Sequence, residues 1–153
     1  MRRMNRIALL IGFGTTGLHA EPVPAHLQGP QVRLWYEESG RLSEDIAPPR
    51  SITLWNTIIG EGEAEEIAND ALFTIHVRTS GEQNLAQPLF LSATDKASKI
   101  LAQRTFKSIL TSKDGNAVVP LWVRDIGCAG TVVFAARIGS ERQSFSIDFP
   151  CGE

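Results

Sequence analysis

The feature that most constrains the fold is the segment TVVFAARIGSERQSFSIDF, residues 131–149, which alternates apolar and polar residues on both sides of a Gly-Ser pair. Alternation with a period of two is typical of strands that bury one face. Glycine at the first loop position favours a type II′ hairpin turn at Gly139-Ser140. The turn sets the register of the two strands and places Phe134 opposite Phe145, which predicts a two-stranded unit with one buried face.

The same register places the two cysteines of the chain, Cys128 and Cys151, opposite each other at the open end of the hairpin. Directly opposed residues of antiparallel strands lie about 4.5–5.5 Å apart at Cα, which is within the span of a disulfide. We therefore predict one structural disulfide between them. A redox pair of the Cys-x-x-Cys type and a metal site are weaker hypotheses, because the cysteines are far apart in the chain and few other soft ligands accompany them.

The beginning of the chain has the three-part pattern of a secretory signal peptide over residues 1–20. Arg2, Arg3 and Arg6 form a basic start, an uncharged apolar stretch over 7–18 follows, and the sequence LHA ends at Ala20. The apolar stretch is well short of the roughly 20 residues that span a bilayer as a helix, so a membrane anchor is the weaker alternative. We expect cleavage after Ala20 and a periplasmic or secreted protein.

Removal of the signal would take away three arginines and no acidic residue, changing the formal net charge from −2 to −5. A chain this acidic lacks the basic footprint that nucleic-acid binding requires, and we expect no nucleic-acid partner. We also expect no membrane insertion after cleavage. Residues 21–30, EPVPAHLQGP, are predicted to be an extended, poorly ordered leader. Residues 31–153 are long enough for a single domain with one core.

The remaining chain is a series of short apolar runs separated by turn residues, which predicts an all-β sandwich. In ALFTIHVRT we expect Phe73, Ile75 and Val77 to share the buried face. Two short helical turns are expected, near residues 63–70 and 107–111. The other predicted strands lie in QVRLWYEE, RLSEDI, SITLWNTIIG, QPLFLSATD, ILAQRTF and AVVPLWVRD.

The segments LFLSATDKASKIL, SKDGNAVVPLWV and GTVVFAARIGSERQSFSIDF contain an Asp-centred turn, an Asp-Gly turn and a Gly-Thr that opens the final hairpin. With these features the stretch from about residue 71 to 149 resembles the immunoglobulin-like domains of bacterial surface and periplasmic proteins. The resemblance implies an immunoglobulin-like β-sandwich outside the cytoplasm. It implies no particular activity, because this fold hosts many functions.

Few residues in the sequence are arranged for catalysis or metal binding. The acidic segment 61–70 could in principle offer carboxylates to calcium, but its spacing differs from that of an EF-hand, and we expect a solvated connection that binds no calcium. His76 is expected to be an ordinary surface residue of its strand. No nucleophile motif or phosphate loop is present. We predict no catalytic residue, no metal ligand and no cofactor, so the protein is predicted not to be an enzyme.

Two tryptophans are the best candidates for a partner surface. Trp35 and Trp122 both lie on the more polar side of their predicted strands, and exposed aromatic residues often mark a binding surface. The alternative, which we favour, is that the N-terminal part of the domain covers this side and both rings are core. In that case Trp122→Ala would act on folding and the partner surface would lie elsewhere.

These observations favour an exported, non-enzymatic domain that binds or bridges a protein or an envelope component. The first alternative is a periplasmic domain that binds a small ligand or a metal through the acidic segment 61–70. A hydrolase with a dispersed site, built from residues that no motif reveals, is a third and weaker hypothesis.

Overall fold

The computed structural model describes residues 24–49 and 64–150. In these residues the only regular secondary structure is β-strand, which confirms the all-β prediction. The strands are β1 (His26–Trp35), β2 (Asp70–Arg78), β3 (Asn84–Leu85), β4 (Leu89–Asp95), β5 (Ile100–Phe106), β6 (Ile109–Leu110), β7 (Asn116–Val123), β8 (Gly130–Ile138) and β9 (Glu141–Phe149).

The strands form two main antiparallel sheets. Sheet 1 has the order β1-β2-β7, sheet 2 has the order β5-β4-β8-β9, and β3 and β6 form a separate two-stranded ribbon. Phe73 of sheet 1 packs on Phe134 of sheet 2 with the ring centroids 5.4 Å apart. The two sheets therefore share one core, which is the architecture of a β-sandwich.

The core follows from the alternation of each strand. Phe73, Ile75 and Val77 of β2 are buried, as the sequence predicted, while their neighbours along the strand are more exposed. From sheet 2, Phe134 is fully buried and stacks on Phe145 at 5.5 Å. Aromatic rings at these separations pack favourably beyond their burial alone.

The predicted hairpin register is confirmed. Phe134 pairs with Phe145, and Gly130 pairs with Phe149 at the open end. Gly139 has a positive φ of 54°, as the first loop position of a type II′ turn requires.

Cys128 lies two residues before Gly130, and continuation of the register would bring it opposite Cys151. Cys151 lies outside the described residues, so the disulfide stays a prediction. The predicted disulfide depends on the register that the structure shows.

The start of the domain differs from the prediction. β1 begins at His26, so residues 26–30 of the expected leader belong to the sheet, and Leu27 is buried. Gly29 has a positive φ of 51° and the pairing with β2 shifts between Gln28 and Gln31. A bulge of this kind accommodates Pro30, which cannot donate a ladder hydrogen bond. The proline-rich composition is typical of a loop, and the sequence pattern therefore does not indicate the first half of the strand.

The second predicted strand, RLSEDI, is a covering segment instead of a regular strand. Only Leu42 forms a bridge, to Trp35. Beyond it, the side chains of Ser43 and Asp45 accept hydrogen bonds from the backbone N–H groups of Leu34 and Val32, at 2.8 and 2.9 Å. Side-chain oxygens therefore satisfy donors that a strand partner would otherwise take. Residues 42–46 cover the outer edge of β1.

Both predicted helical turns are wrong for the residues that the structure describes. The carbonyls of Ile67 and Asn69 accept hydrogen bonds from the N–H groups of Glu37 and Ile126, which belong to other segments. These carbonyls are therefore not used in an i to i+4 helical pattern. Residues 107–111 contain β6, which pairs with β3. The predicted strand SITLWNTIIG lies outside the described residues.

Candidate protein-binding face

The outer face of sheet 1 carries an apolar strip that runs across its strands. The register places Leu72 of β2 beside Trp122 of β7, and Trp35 of β1 beside Asp70 of β2. Trp122 is 40% exposed and Val118 is 56% exposed. We call this strip the tryptophan face; it comprises Trp35, Leu72, Val118, Pro120 and Trp122.

The ring of Trp122 is held in place by two contacts. Its Nε1 donates a hydrogen bond of 2.8 Å to Oδ2 of Asp70, and its ring meets that of Trp35 edge to face, with 5.5 Å between centroids. The other carboxylate oxygen of Asp70 accepts a hydrogen bond from the backbone N–H of Asp125 at 3.2 Å. Asp70 is thereby fixed from two sides, so the indole that it binds is presented to solvent in one orientation.

Trp35 is the residue that the edge strand β1 contributes to the tryptophan face. It is half-buried and lies against the turn at Gly40, where a Cβ would be 3.8 Å from the Trp35 ring. That turn is closed by the hydrogen bond from Gly40 N to Tyr36 O at 2.9 Å. The backbone therefore supports one side of Trp35 and Trp122 contacts the other.

These positions correct the prediction that Trp122 is a core residue. β7 buries Val119, Leu121 and Val123 toward sheet 2, as expected, and turns Val118, Pro120 and Trp122 outward. β1 lies beside β2 in the same sheet, and a strand in the plane of a sheet cannot cover the outer face of its neighbour. Trp122 is exposed, so Trp35 and Trp122 remain a candidate partner surface.

His76 lies on the same outer face, with Val118 of β7 and Gln28 of β1 as its cross-strand neighbours. It is half-buried, and the Cβ that a side chain at Gly29 would carry lies 3.7 Å from its ring. The cross-strand neighbours of His76 are thus hydrocarbon and amide groups. Nucleophilic catalysis needs a nucleophile and an orienting group beside the base, and neither of these neighbours supplies one.

The described carboxylates of the acidic segment bind donors of the chain itself. Arg41 Nη2 contacts Glu66 Oε1 at 3.1 Å and Glu65 Oε2 at 3.4 Å. Asp70 binds Trp122, as described above. Among residues 24–49 and 64–150, no group of three or more potential ligand side chains is placed to hold a metal ion. Glu61 and Glu63 lie outside the described residues.

Glu66 is the most constrained of these acids. Its partial burial opposes ionisation, but hydrogen bonds from Ser39 and Arg41 outweigh this effect and lower the pKa of Glu66. The hydrogen bond to Glu66 in turn raises the pKa of Arg41. The ion pair between Arg41 and Glu66 connects the turn after β1 to the segment before β2. It therefore helps to position the turn at Gly40, which lies against Trp35.

Two described depressions of the surface are open to solvent. One lies on the outer face of sheet 2 between Phe90 and Arg142, and a second lies between β9 and the loop at Pro48. In the part of the chain that the structure describes, no helix is long and apolar enough to span a membrane.

Comparison with known proteins identifies no family for this chain. No family model matches the sequence, and no curated protein matches it. The structure is similar to part of a β-glucuronidase from Bifidobacterium dentium, solved in complex with coumarin-3-O-glucuronide, with a TM-score of 0.41 and 15% identity. The similarity covers 83% of this chain but only 18% of the enzyme. The strand order and the shared core of the described residues by themselves define an all-β protein with the layers of a β-sandwich.

Proposed function

We propose that this protein is an exported, non-enzymatic binding domain of immunoglobulin-like type, which contacts an envelope protein through the tryptophan face. The sheet orders β1-β2-β7 and β5-β4-β8-β9 support the immunoglobulin-like assignment. In such sandwiches the first two strands share a sheet with a later strand, and the last two strands share the other sheet with a strand from the middle of the chain. The signal-like residues 1–20 support a periplasmic or secreted location.

The observation that carries the proposal is the exposed but immobilised Trp122. Together with Val118 and Pro120, Trp122 forms a contiguous exposed apolar patch, and such patches often mark a protein interaction site. Its hydrogen bond to Asp70 and its contact with Trp35 already restrict its rotamers. Binding a partner would then cost little further side-chain entropy, which is the property of an interface anchor.

The residues around Trp122 suit a protein partner. Val118 and Pro120 extend the apolar strip along β7, while Arg33 and Thr74 occupy neighbouring outward positions of the sheet. An apolar centre with a polar rim is the usual composition of a protein interface. The alternative of a small-ligand or metal domain using residues 61–70 gains no support from the described carboxylates, because they bind Arg41, Ser39 and Trp122.

The test is comparative co-purification of tagged protein from its own cell envelope. Trp122→Ala should reduce capture of the partner by at least about tenfold, as truncation of an interface anchor does. Phe90→Ala is the matched control, because Phe90 is an exposed aromatic residue on the outer face of the other sheet. It should leave capture unchanged.

Trp122→Phe separates binding from folding. It keeps an apolar ring but loses the N–H that Asp70 accepts, so we expect intermediate capture with a native circular dichroism spectrum. If folded Trp122→Ala captures the same partners at the yield of the wild type, the tryptophan face is not the binding surface and the proposal is wrong.

A further inference from the structure

The edge strands of the two sheets differ in how they are protected against pairing with another chain. β1 contains Pro30 and a bulge, and residues 42–46 run along its free side. β7 contains Pro120, and in β5 the extra residue Leu101 interrupts the pairing with β4. Prolines, bulges and covering segments are the common means by which proteins block an exposed edge.

β9 has none of these devices among the described residues. It is nine residues long, contains no proline and pairs with β8 one to one along its whole length. Its other edge pairs with no described strand. An unprotected regular edge offers a row of free N–H and C=O groups to a further strand.

The hairpin turn determines which residues of β9 have free backbone groups. In a two-residue hairpin the residues flanking the loop, here Ile138 and Glu141, exchange hydrogen bonds, and such pairs then alternate along the ladder. The backbone groups of the odd-numbered residues of β9 therefore point toward β8. Those of the even-numbered residues, Arg142, Ser144, Ser146 and Asp148, point away, and all four side chains are exposed on the outer face of sheet 2.

These four residues are complementary to themselves when the strand is reversed. Arg142 and Asp148 lie three residues on either side of Phe145, with the two serines between them. If a second β9 lay antiparallel with Phe145 opposite Phe145, Arg142 of each copy would face Asp148 of the other. Ser144 would face Ser146. Opposite charges directly across an antiparallel pair are stabilising, and like charges there are destabilising.

We propose that two copies of this chain associate through β9, antiparallel and centred on Phe145, to join their four-stranded sheets into one. The arrangement is a two-fold symmetric dimer, in which each copy offers the same surface. This interface is separate from the tryptophan face, which lies on sheet 1, so the two proposals stand or fall independently.

The described surroundings of β9 leave its edge accessible. The side chain of Gln143 donates a hydrogen bond to the carbonyl of Leu27 at 2.5 Å, and Gln143 is one of the residues whose backbone faces β8. Beside residues 142–145 lies an open cleft whose other wall is formed by Pro30, Ala47 and Pro48. The contact with β1 thus uses a side chain, and no described residue pairs with the outward backbone groups of β9.

The first test measures the oligomeric state of the purified protein by sedimentation velocity over a range of concentrations. The wild type should be a reversible dimer. Arg142→Asp and Asp148→Arg each turn two attractive contacts into two repulsive ones and should raise the dissociation constant roughly tenfold or more. Arg124→Asp, the same charge change at an exposed residue outside β9, should have no such effect.

The second test identifies the register. The double variant Arg142→Asp with Asp148→Arg restores both opposite-charge contacts and should dimerise as the wild type does. A mixture of the two single variants should form a heterodimer more readily than either forms a homodimer, since every charged contact in the mixed pair is favourable. This recovery cannot come from misfolded protein, because folding damage in the single variants would persist in the mixture.

Ser144→Pro supplies an independent check of the backbone contact. Its N–H points away from β8, so proline should leave the hairpin folded by circular dichroism but abolish dimerisation. A wild type that remains monomeric at every concentration would overturn the proposal. A dimer that is insensitive to the charge reversals, or that the double variant does not restore, would overturn the β9 interface.

Discussion

Gly115 provides a sharp test of the packing that holds the turn before β7. Its φ is +74°, and a Cβ at this position would lie 2.2 Å from the carbonyl oxygen of Thr79. Real Cβ atoms do not approach a backbone oxygen so closely, so Gly115→Ala must displace one segment from the other. Alanine in this left-handed conformation costs about 1–2 kcal/mol before any displacement is counted.

The displacement would act on a hydrogen-bonded network. Thr79 N donates to Gly115 O at 2.9 Å, and Thr79 Oγ1 lies 3.1 Å from Oγ1 of Thr111, a residue that is only 1% exposed. Two such bonds at about 0.5–1.5 kcal/mol each bring the expected loss to about 2–5 kcal/mol. The melting temperature should fall by roughly 6–20 °C.

Gly130→Ala is the matched control. Gly130 also has a left-handed backbone, with φ of +68°, but no atom lies within 4 Å of a Cβ built there. It should therefore cost only the conformational part, about 1–2 kcal/mol. Urea unfolding followed by tryptophan fluorescence measures both variants. If Gly115→Ala is no more destabilising than Gly130→Ala, the close approach to Thr79 does not constrain the turn.

Two further predictions concern the cysteines and the acidic segment. Alkylation of the denatured, non-reduced protein should add no mass at Cys128 or Cys151, and two labels per chain would disprove the disulfide. Because the pKa of Glu66 is lowered in the folded protein, its stabilising effect should be fully present above the ordinary pKa of 4.5 and should disappear as the pH falls through the lowered value. Glu66→Gln should therefore be less stable than the wild type at pH 7, and this difference in stability should shrink as the pH falls below 4.5. A difference that does not change with pH would contradict the contact with Arg41.

The β8–β9 hairpin shows what the sequence by itself determined. Its alternation, its Gly139-Ser140 turn and the pairing of Phe134 with Phe145 all depend on interactions between residues close in the chain. The burial of Phe73, Ile75 and Val77 was predictable for a similar reason, because side chains on a strand alternate between its two faces. The same local pattern predicts that each strand has a buried face, but it does not indicate which strands pack against that face.

The start of β1 and the segment before β2 have conformations that local sequence patterns do not predict. Proline and glycine near residue 30 are typical of a loop, yet pairing with β2 and burial of Leu27 outweigh that tendency. Residues 64–70 contain helix-forming acids and alanine, but their carbonyls bind distant N–H groups. In both cases long-range hydrogen bonds and burial decided the conformation, and their energies exceed local propensities of a fraction of a kcal/mol per residue.

The candidate surfaces were decided by the tertiary structure alone. The sequence indicated that Trp122 lies on the second face of an apolar strand, but either a covering layer or solvent could lie against it. Its exposure follows from the placement of β1 beside β2, in the plane of sheet 1. The open edge of β9 likewise exists only because β8 occupies the other side and no described strand follows. Which faces and edges remain unpaired is a property of the order of strands in the sheets, and that order is determined by contacts between residues far apart in the chain.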